Sequence, residues 1–398
     1  MTKGGVMINF NLNSFLNSIS FVLDYAEKDI LKDITNHSRR VSYIAVNIGK
    51  KMGLDDKSIF DLGALAILHD CGSGGFDYKK NNGLIVEHCK IGEEIIKSFP
   101  FFTNVTNVIL YHHEYDDGTG IFQKKIDEIP LLARIISLAN TIENIYVNIT
   151  KDRQKIIGQL GKLRGKKFES HLIDAFISAQ NEVKFWVDIQ DYFIFDSLNE
   201  LIPKFNIEMN FKEVRAITEI ISNIVDYKSE FTLRHSKGLS EKALIMSDFY
   251  KFDLNTKYQL VIAADLHDIG KLAISNDILD KNGKLEPYEF LEIKSHAYLT
   301  RKALESIFGF EKITEWASNH HEKLNGKGYP LGKKDKELDF CSRILGCLDI
   351  YQALTEERPY RASLSHEKSI SIMKSMAESY DIDSTIVKSI DEVFYSAT

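Results

Sequence analysis

An all-α chain of two tandem helical bundles is the fold class this sequence predicts. Three observations predict it: the histidines fall into two ordered sets with matching gaps, apolar residues recur at helical spacing, and strand signals are sparse. At 398 residues the chain is about twice a common domain length, so each half can bury a core of its own. A hydrophobic share of 44%, a charged share of 27% and only six prolines describe a globular protein, so no long tail has to be set aside.

The repeat comes first because it fixes the layout. His37 precedes His69-Asp70 by 32 residues, and His235 precedes His267-Asp268 by the same 32. His88 stands 24 residues before His112-His113, and His296 stands 24 before His320-His321. Ten of the twelve histidines belong to these sets, an arrangement chance does not produce. HHEYDDGTGIF at 112–122 aligns without gaps on HHEKLNGKGYP at 320–330, and ARIISLANTIE at 133–143 resembles SRILGCLDIYQ at 342–352. The expected layout is one copy over residues 1–185, a connecting segment over 186–210 and a second copy over 211–398, with a period of 198 residues.

Taken in order, GLDDKSIFDLGALAILHDCG at 53–72 reads as a helix that Asp55 caps and Gly72 ends. The tract from Trp186 to Asn210 lacks the Gly, Ser and Pro of a loose tether. In VRAITEIISNIV at 214–225, Val214, Ile217, Ile221 and Ile224 form one buried stripe. DLNTKYQLVIAADLHDIGK at 253–271 repeats the first pattern, with Asn255 as the expected cap and Gly270 as the expected stop.

A formal charge of −7 argues against holding a nucleic acid polymer, which needs a broad basic surface, but leaves room for a small anionic ligand held by local charge. The cysteines at 71, 89, 341 and 347 form no CxxC pair and read as reduced core residues rather than disulfides or a thiolate zinc site. The N-terminus lacks the pattern of a secretory signal and no apolar run reaches membrane-spanning length, so a cytoplasmic protein with no membrane partner is expected. The helical stripes do not fix an oligomeric state, and a homodimer is compatible with them.

The second copy offers seven candidate ligands: His235, His267, Asp268, His296, His320, His321 and Asp349. Seven exceed what one ion takes, so two divalent ions sharing a carboxylate are expected, with Asp268 as the bridge. Imidazole and carboxylate without thiolate suit manganese, iron or zinc, and a six-coordinate geometry would favour manganese or iron. An ion pair of this kind suits hydrolysis of phosphoesters. Lys271, just past Gly270, is placed to reach phosphate oxygens, although a solvated lysine would stand there as well. Arg358 and Arg361 could fork onto a phosphate or a guanine edge, and a surface salt bridge explains either equally simply.

HDIGK at 267–271, HHEKLNGKGYP at 320–330 and LDIYQALTEERPYR at 348–361 together resemble the HD-GYP family of bacterial phosphodiesterases over about residues 211–398. The resemblance implies two tandem HD-type bundles, of which the second opens the ring of cyclic di-GMP to pGpG and in some members to GMP, with iron or manganese as the metal. It implies that Tyr329 of the GYP triplet and the Arg358 to Arg361 segment border the substrate, and that Lys271 touches the scissile phosphate. Phe231 stands where some members carry a glutamate for a third metal, and Asn325 where the loop often has aspartate, so a two-metal centre is expected. 3',3'-cyclic GMP-AMP is a rival substrate, and a catalytically silent cyclic-dinucleotide receptor is the rival of another class.

The first copy resembles a degenerate HD domain. It keeps His37, His69, Asp70, His88, His112 and His113, but Ser73 stands at the Lys271 position, Asn140 at that of Asp349, and Gly120-Ile121-Phe122 replaces the triplet. Losing a carboxylate weakens the hold on the ion it served, so impaired metal binding, little diesterase activity and a regulatory or structural role are expected there.

Overall fold

The computed structural model describes residues 7–26, 36–73, 82–97, 99–205, 207–228, 235–281, 283–357 and 362–395. The regular structure of the described residues is almost all helix, and its only named strands, β1 (Met7–Phe10) and β2 (Ile207–Asn210), pair with each other. It divides into two compact units, one of residues 9–208 and one built chiefly of residues 209–398. No described helix is long and apolar enough to cross a membrane.

The first unit contains α1 (Leu12–Ala26), α2 (His37–Lys51), α3 (Asp56–Leu68), α4 (Asn82–Ile96), α5 (Leu131–Asn144), α6 (Arg153–Leu163), α7 (Ser170–Ala179), α8 (Val183–Asp188) and α9 (Ile194–Leu201). Helix α2 is its axis. Val41, Ile44, Ala45 and Ile48 are fully buried, and the helix packs against α3, α5, α7 and α9. Burial on all sides follows from a sequence with apolar residues on more than one face. Helix α9 also packs on α1, so residues 194–201 belong to this unit's own packing. Asp55 caps α3 through the Ser58 amide at 2.9 Å.

The second unit contains α10 (Phe211–Lys228), α11 (His235–Phe249), α12 (Leu254–Leu266), a 3-10 turn (Ile269–Ala273), α13 (Asn276–Leu279), α14 (Pro287–Leu304), α15 (Glu311–Ser318), α16 (Phe340–Thr355), α17 (His366–Glu378) and α18 (Ser384–Phe394). Helix α12 is sandwiched by α10, α11 and α15, while α16 packs on α11. The stripe of Val214, Ile217, Ile221 and Ile224 on α10 is buried, as its spacing predicts. Cys89, Cys341 and Cys347 are free and buried, and burial pushes each thiol up.

Three details differ from the sequence reading. Asp253, not Asn255, caps α12, accepting from the amides of Asn255 and Thr256 at 3.0 and 3.1 Å; a cap accepts from the second or third residue after itself, so Asn255 sits one step inside the helix. Gly270 does not end α12 by a left-handed turn, for its φ is not positive and the helix already ends at Leu266. Its role is close approach: a Cβ there would lie 2.0 Å from the His296 carbonyl oxygen, so only glycine lets α14 deliver His296 to the ligands. Gly72 does the same in the first unit, 2.2 Å from the His88 carbonyl oxygen. Finally, the 198-residue period holds only to the HD pair and grows to 208 at the later histidines, where the second unit gains the residues around α13.

Candidate metal centre

Five elements deliver the second unit's candidate ligands. His235 opens α11, His267 caps the end of α12 with Asp268 beside it, His296 lies in α14, His320 and His321 follow α15, and Asp349 lies in α16. All are buried except the partly exposed His321. The structure brings all seven together.

The imidazole orientations are fixed from behind. Nδ1 of His267 lies 2.7 Å from the Ala264 carbonyl, that of His296 2.6 Å from Ile293 and that of His320 2.6 Å from Ala317. A carbonyl only accepts, so each Nδ1 carries the proton and each Nε2 turns a lone pair inward. Each partner sits three residues earlier, a geometry that the end of a helical turn supplies.

Asp268 divides the set. Its Oδ2 lies 3.1 Å from His267 Nε2, and His267 lies 4.0 Å from Asp349 Oδ1, which is 3.0 Å from His235 Nε2. Its Oδ1 faces the other way, 3.4 Å from His296 Nε2 and 3.9 Å from His320 Nε2, and those two nitrogens are 3.2 Å apart. His321 Nδ1 lies 3.8 Å from Asp349 Oδ2. Each oxygen of Asp268 thus meets a different group of donors, as a carboxylate shared by two cations requires.

Electrostatics agree with a cation-binding cage. Burial alone would favour protonated Asp268 and Asp349, but His267 and Lys271 overcome it at the first, and His235 at the second, so both carboxyls are held below the usual range. Burial lowers His296 to about 3 and, with its neighbour His321, drives His320 well down, leaving both imidazoles neutral as metal ligation needs. His267 Nε2 and Asp268 Oδ1 are buried without a hydrogen bond, the polar orphans that an ion would satisfy. These donors fit divalent metal.

Lys271 Nζ lies 2.6 Å from Asp268 Oδ2, at the rim of the cluster. Tyr329 covers the other side, its ring centroid 4.8 Å from that of His321, with Lys294 Nζ 5.4 Å from the tyrosine ring. A cavity of about 310 Å3 opens here, walled in part by His321, Tyr329, Lys294 and Lys327. Arg358, Arg361 and Phe231 lie outside the described residues.

Two contributors escaped the sequence reading. Glu356 accepts from His235 Nδ1 with both oxygens at 3.0 Å, turning that ring's Nε2 toward Asp349. It caps α16 seven residues after Asp349, about two helical turns, and that spacing was the available signal. Glu322 accepts from the amides of Leu331, Gly332 and Lys333 and so folds the loop bearing Tyr329. Its signal was the third letter of HHE, present in both copies, and Glu114 holds the amides of Phe122 and Lys124 in the same way. Glu356→Gln keeps the shape but weakens the hold on His235. It is expected to cost about 10- to 100-fold in metal affinity, read by titrating metal into stripped protein; unchanged affinity would mean that packing alone orients His235.

Residues 34–145 and residues 219–386 each match a family described as HD domain. Along its length the chain is similar to the 3'3'-cGAMP-specific phosphodiesterase 1 of Vibrio cholerae serotype O1, at 30% identity over 97% of this chain and 93% of that one. It is similar over a shorter stretch to the cyclic di-GMP phosphodiesterase of Thermotoga maritima, at 29% identity over 40% of this chain and 44% of the relative. Among solved structures, a cyclic GMP-AMP-specific phosphodiesterase of V. cholerae shares the fold with a TM-score of 0.71, at 24% identity and 98% coverage of both chains. With two HD domains in tandem and a relative matched nearly end to end, the chain belongs to the HD-GYP family of cyclic-dinucleotide phosphodiesterases, which are phosphoric diester hydrolases.

Proposed function

We propose that the second unit hydrolyses 3',3'-cyclic GMP-AMP, and cyclic di-GMP as a second substrate, at a dinuclear centre held by His235, His267, Asp268, His296, His320, His321 and Asp349. The single observation carrying the dinuclear reading is the placement of the two Asp268 oxygens against different donor groups, 3.1 Å from His267 and 3.4 Å from His296. The order of substrates is supported by the relative that aligns along both units, whose name specifies 3'3'-cGAMP, whereas the Thermotoga relative named for cyclic di-GMP aligns over 40% of the chain. An all-nitrogen and oxygen donor set of this number favours iron or manganese over zinc.

When bound, the ions would supply Lewis-acid stabilisation of charge on the phosphoryl and leaving oxygens. The chain's own groups do the rest. Lys271 sets an ammonium beside Asp268, where a scissile phosphate facing the ligands meets a second source of positive charge. Tyr329 presents a ring beside His321 on which a purine can stack, and Lys294 adds charge at that wall. Glu322, by gathering three loop amides, keeps Tyr329 in place before substrate arrives.

Product analysis tests the reading: both cyclic dinucleotides incubated with manganese- or iron-loaded protein under reducing conditions, beside His267→Ala/Asp268→Ala. Metal-dependent linear dinucleotide, faster from 3',3'-cyclic GMP-AMP and absent from the variant, is the expected result. Equal rates would remove the substrate order, and tight binding without turnover under either metal would replace the enzyme by a receptor.

A further inference from the structure

The first unit's histidines do not share one fate, and the difference lies in which half of the set lost its partners. In the half nearest α2, Asn140 stands where a carboxylate would be, and His37 Nδ1 is held at 2.9 Å by Glu143, which Arg40 grips in turn at 2.8 Å. A guanidinium has thus been added beside that half. Its counterpart in the second unit is Gly238, where a Cβ would strike Gln352 and no such side chain fits.

The other half is intact and tightly drawn. Asp70 Oδ1 lies 3.0 Å from His88 Nε2 and 3.5 Å from His112 Nε2, and the two nitrogens are 3.4 Å apart. Donors at about 2.0–2.1 Å from one ion stand about 2.8–3.0 Å from each other in octahedral and about 3.3–3.4 Å in tetrahedral arrangement. The corresponding trio of the second unit is looser, reaching 3.9 Å.

While its rings are neutral, this cluster is not relieved by hydrogen bonds among its own atoms. His112 Nδ1 donates to the Ile109 carbonyl at 2.6 Å, which leaves Nε2 as a lone pair. Ser73 Oγ donates its one proton to the Asp70 carbonyl at 2.6 Å, so toward His88 Nδ1, 3.1 Å away, it can only accept. His88 Nε2 is therefore a lone pair too. The serine at the Lys271 position removes a cation and in exchange fixes the tautomer of a ligand. Asp70 Oδ1 and His113 Nε2 are buried and make no hydrogen bond. Cys89, which corresponds to Ala297, brings a sulfur within 4.8 Å of the nitrogens of His88, His112 and His113.

From this geometry we infer that the first unit holds one divalent ion, of the zinc kind, on His88, His112, His113 and Asp70, with Cys89 as a neighbouring soft donor. Three imidazoles, a carboxylate and a nearby sulfur suit tetrahedral zinc rather than the ions of an all-nitrogen and oxygen pair. The ion ties α4 and the turn at 111–113 to the end of α3. Because the other half keeps only His37, His69 and Asp70, with Asn140 in place of the last carboxylate and Arg40 adding positive charge behind His37 through Glu143, the site stays mononuclear and does not cleave a phosphodiester. This site stands apart from the function proposed for the second unit and does not rest on it.

The test uses the full chain carrying Asp268→Ala/His296→Ala/His320→Ala, which strips both halves of the second unit's set. After chelation, zinc reconstitution and desalting, elemental analysis is expected to find about one ion per chain. Adding His88→Ala/His112→Ala should bring this to none, while adding His37→Ala should leave it unchanged. No retained zinc in the starting variant, or its loss on His37→Ala, overturns the inference. Should the His88/His112 variant fail to fold, cobalt substitution of the starting variant decides: a visible absorption of tetrahedral cobalt, altered by Cys89→Ser, is expected, and a colourless or octahedral spectrum overturns it.

Discussion

Asp268→Ala is expected to lower kcat/KM for the preferred cyclic dinucleotide by at least about a thousandfold. One ion acting on a phosphoryl group contributes several kcal/mol to transition-state stabilisation, and about 4 kcal/mol corresponds to three decades in rate. The effect should be that large because the residue is not one ligand among seven. Its two oxygens serve separate donor groups, so losing the side chain opens both, and Lys271, 2.6 Å away, loses its counter-charge. Initial rates measured with excess manganese, together with metal content, check this. A variant within tenfold of the parent rate, or one that keeps two ions, would show that Asp268 is not the shared ligand.

Asp349→Asn asks in the second unit the question that Asn140 poses in the first. The substitution preserves volume and one oxygen but removes the charge that faces His235 at 3.0 Å and His321 at 3.8 Å. His235 then loses a partner that helps raise it to about 9. The expected result is loss of one of the two ions at ordinary metal concentration and a fall in turnover of about a hundredfold or more, about 3 kcal/mol. Raising manganese should recover part of that loss, because the amide oxygen can still coordinate weakly. Full activity with one ion bound would instead mean that the reaction needs only the half built on His296 and His320.

How far the site was legible depends on the residue. Histidine is rare in this chain, so two sets with equal gaps marked His235, His267, Asp268, His296, His320 and His321 without any structure, and the family motifs added Asp349. Glu356 and Glu322 were less visible because they act on ligands rather than as ligands, and glutamates are common on helical surfaces. The role of Gly270 was misread for a similar reason: near a helix end, glycine suggests a left-handed turn, whereas here it clears the path of a helix 26 residues further along the chain. The capping of α12 missed by two positions, Asp253 for Asn255, because both side chains can accept from a helix start and only the first turn's placement chooses between them.

The sequence by itself determined the helical class, the duplication and the set of candidate ligands, since each is written in spacings that survive without coordinates. Only the tertiary structure decided how those ligands divide. The opposite facing of the Asp268 oxygens, the spending of the Ser73 proton on the Asp70 carbonyl and the grip of Arg40 on Glu143 behind His37 are matters of direction. Direction is set by how helices distant in sequence pack against each other, and a linear pattern of residue types carries no record of it.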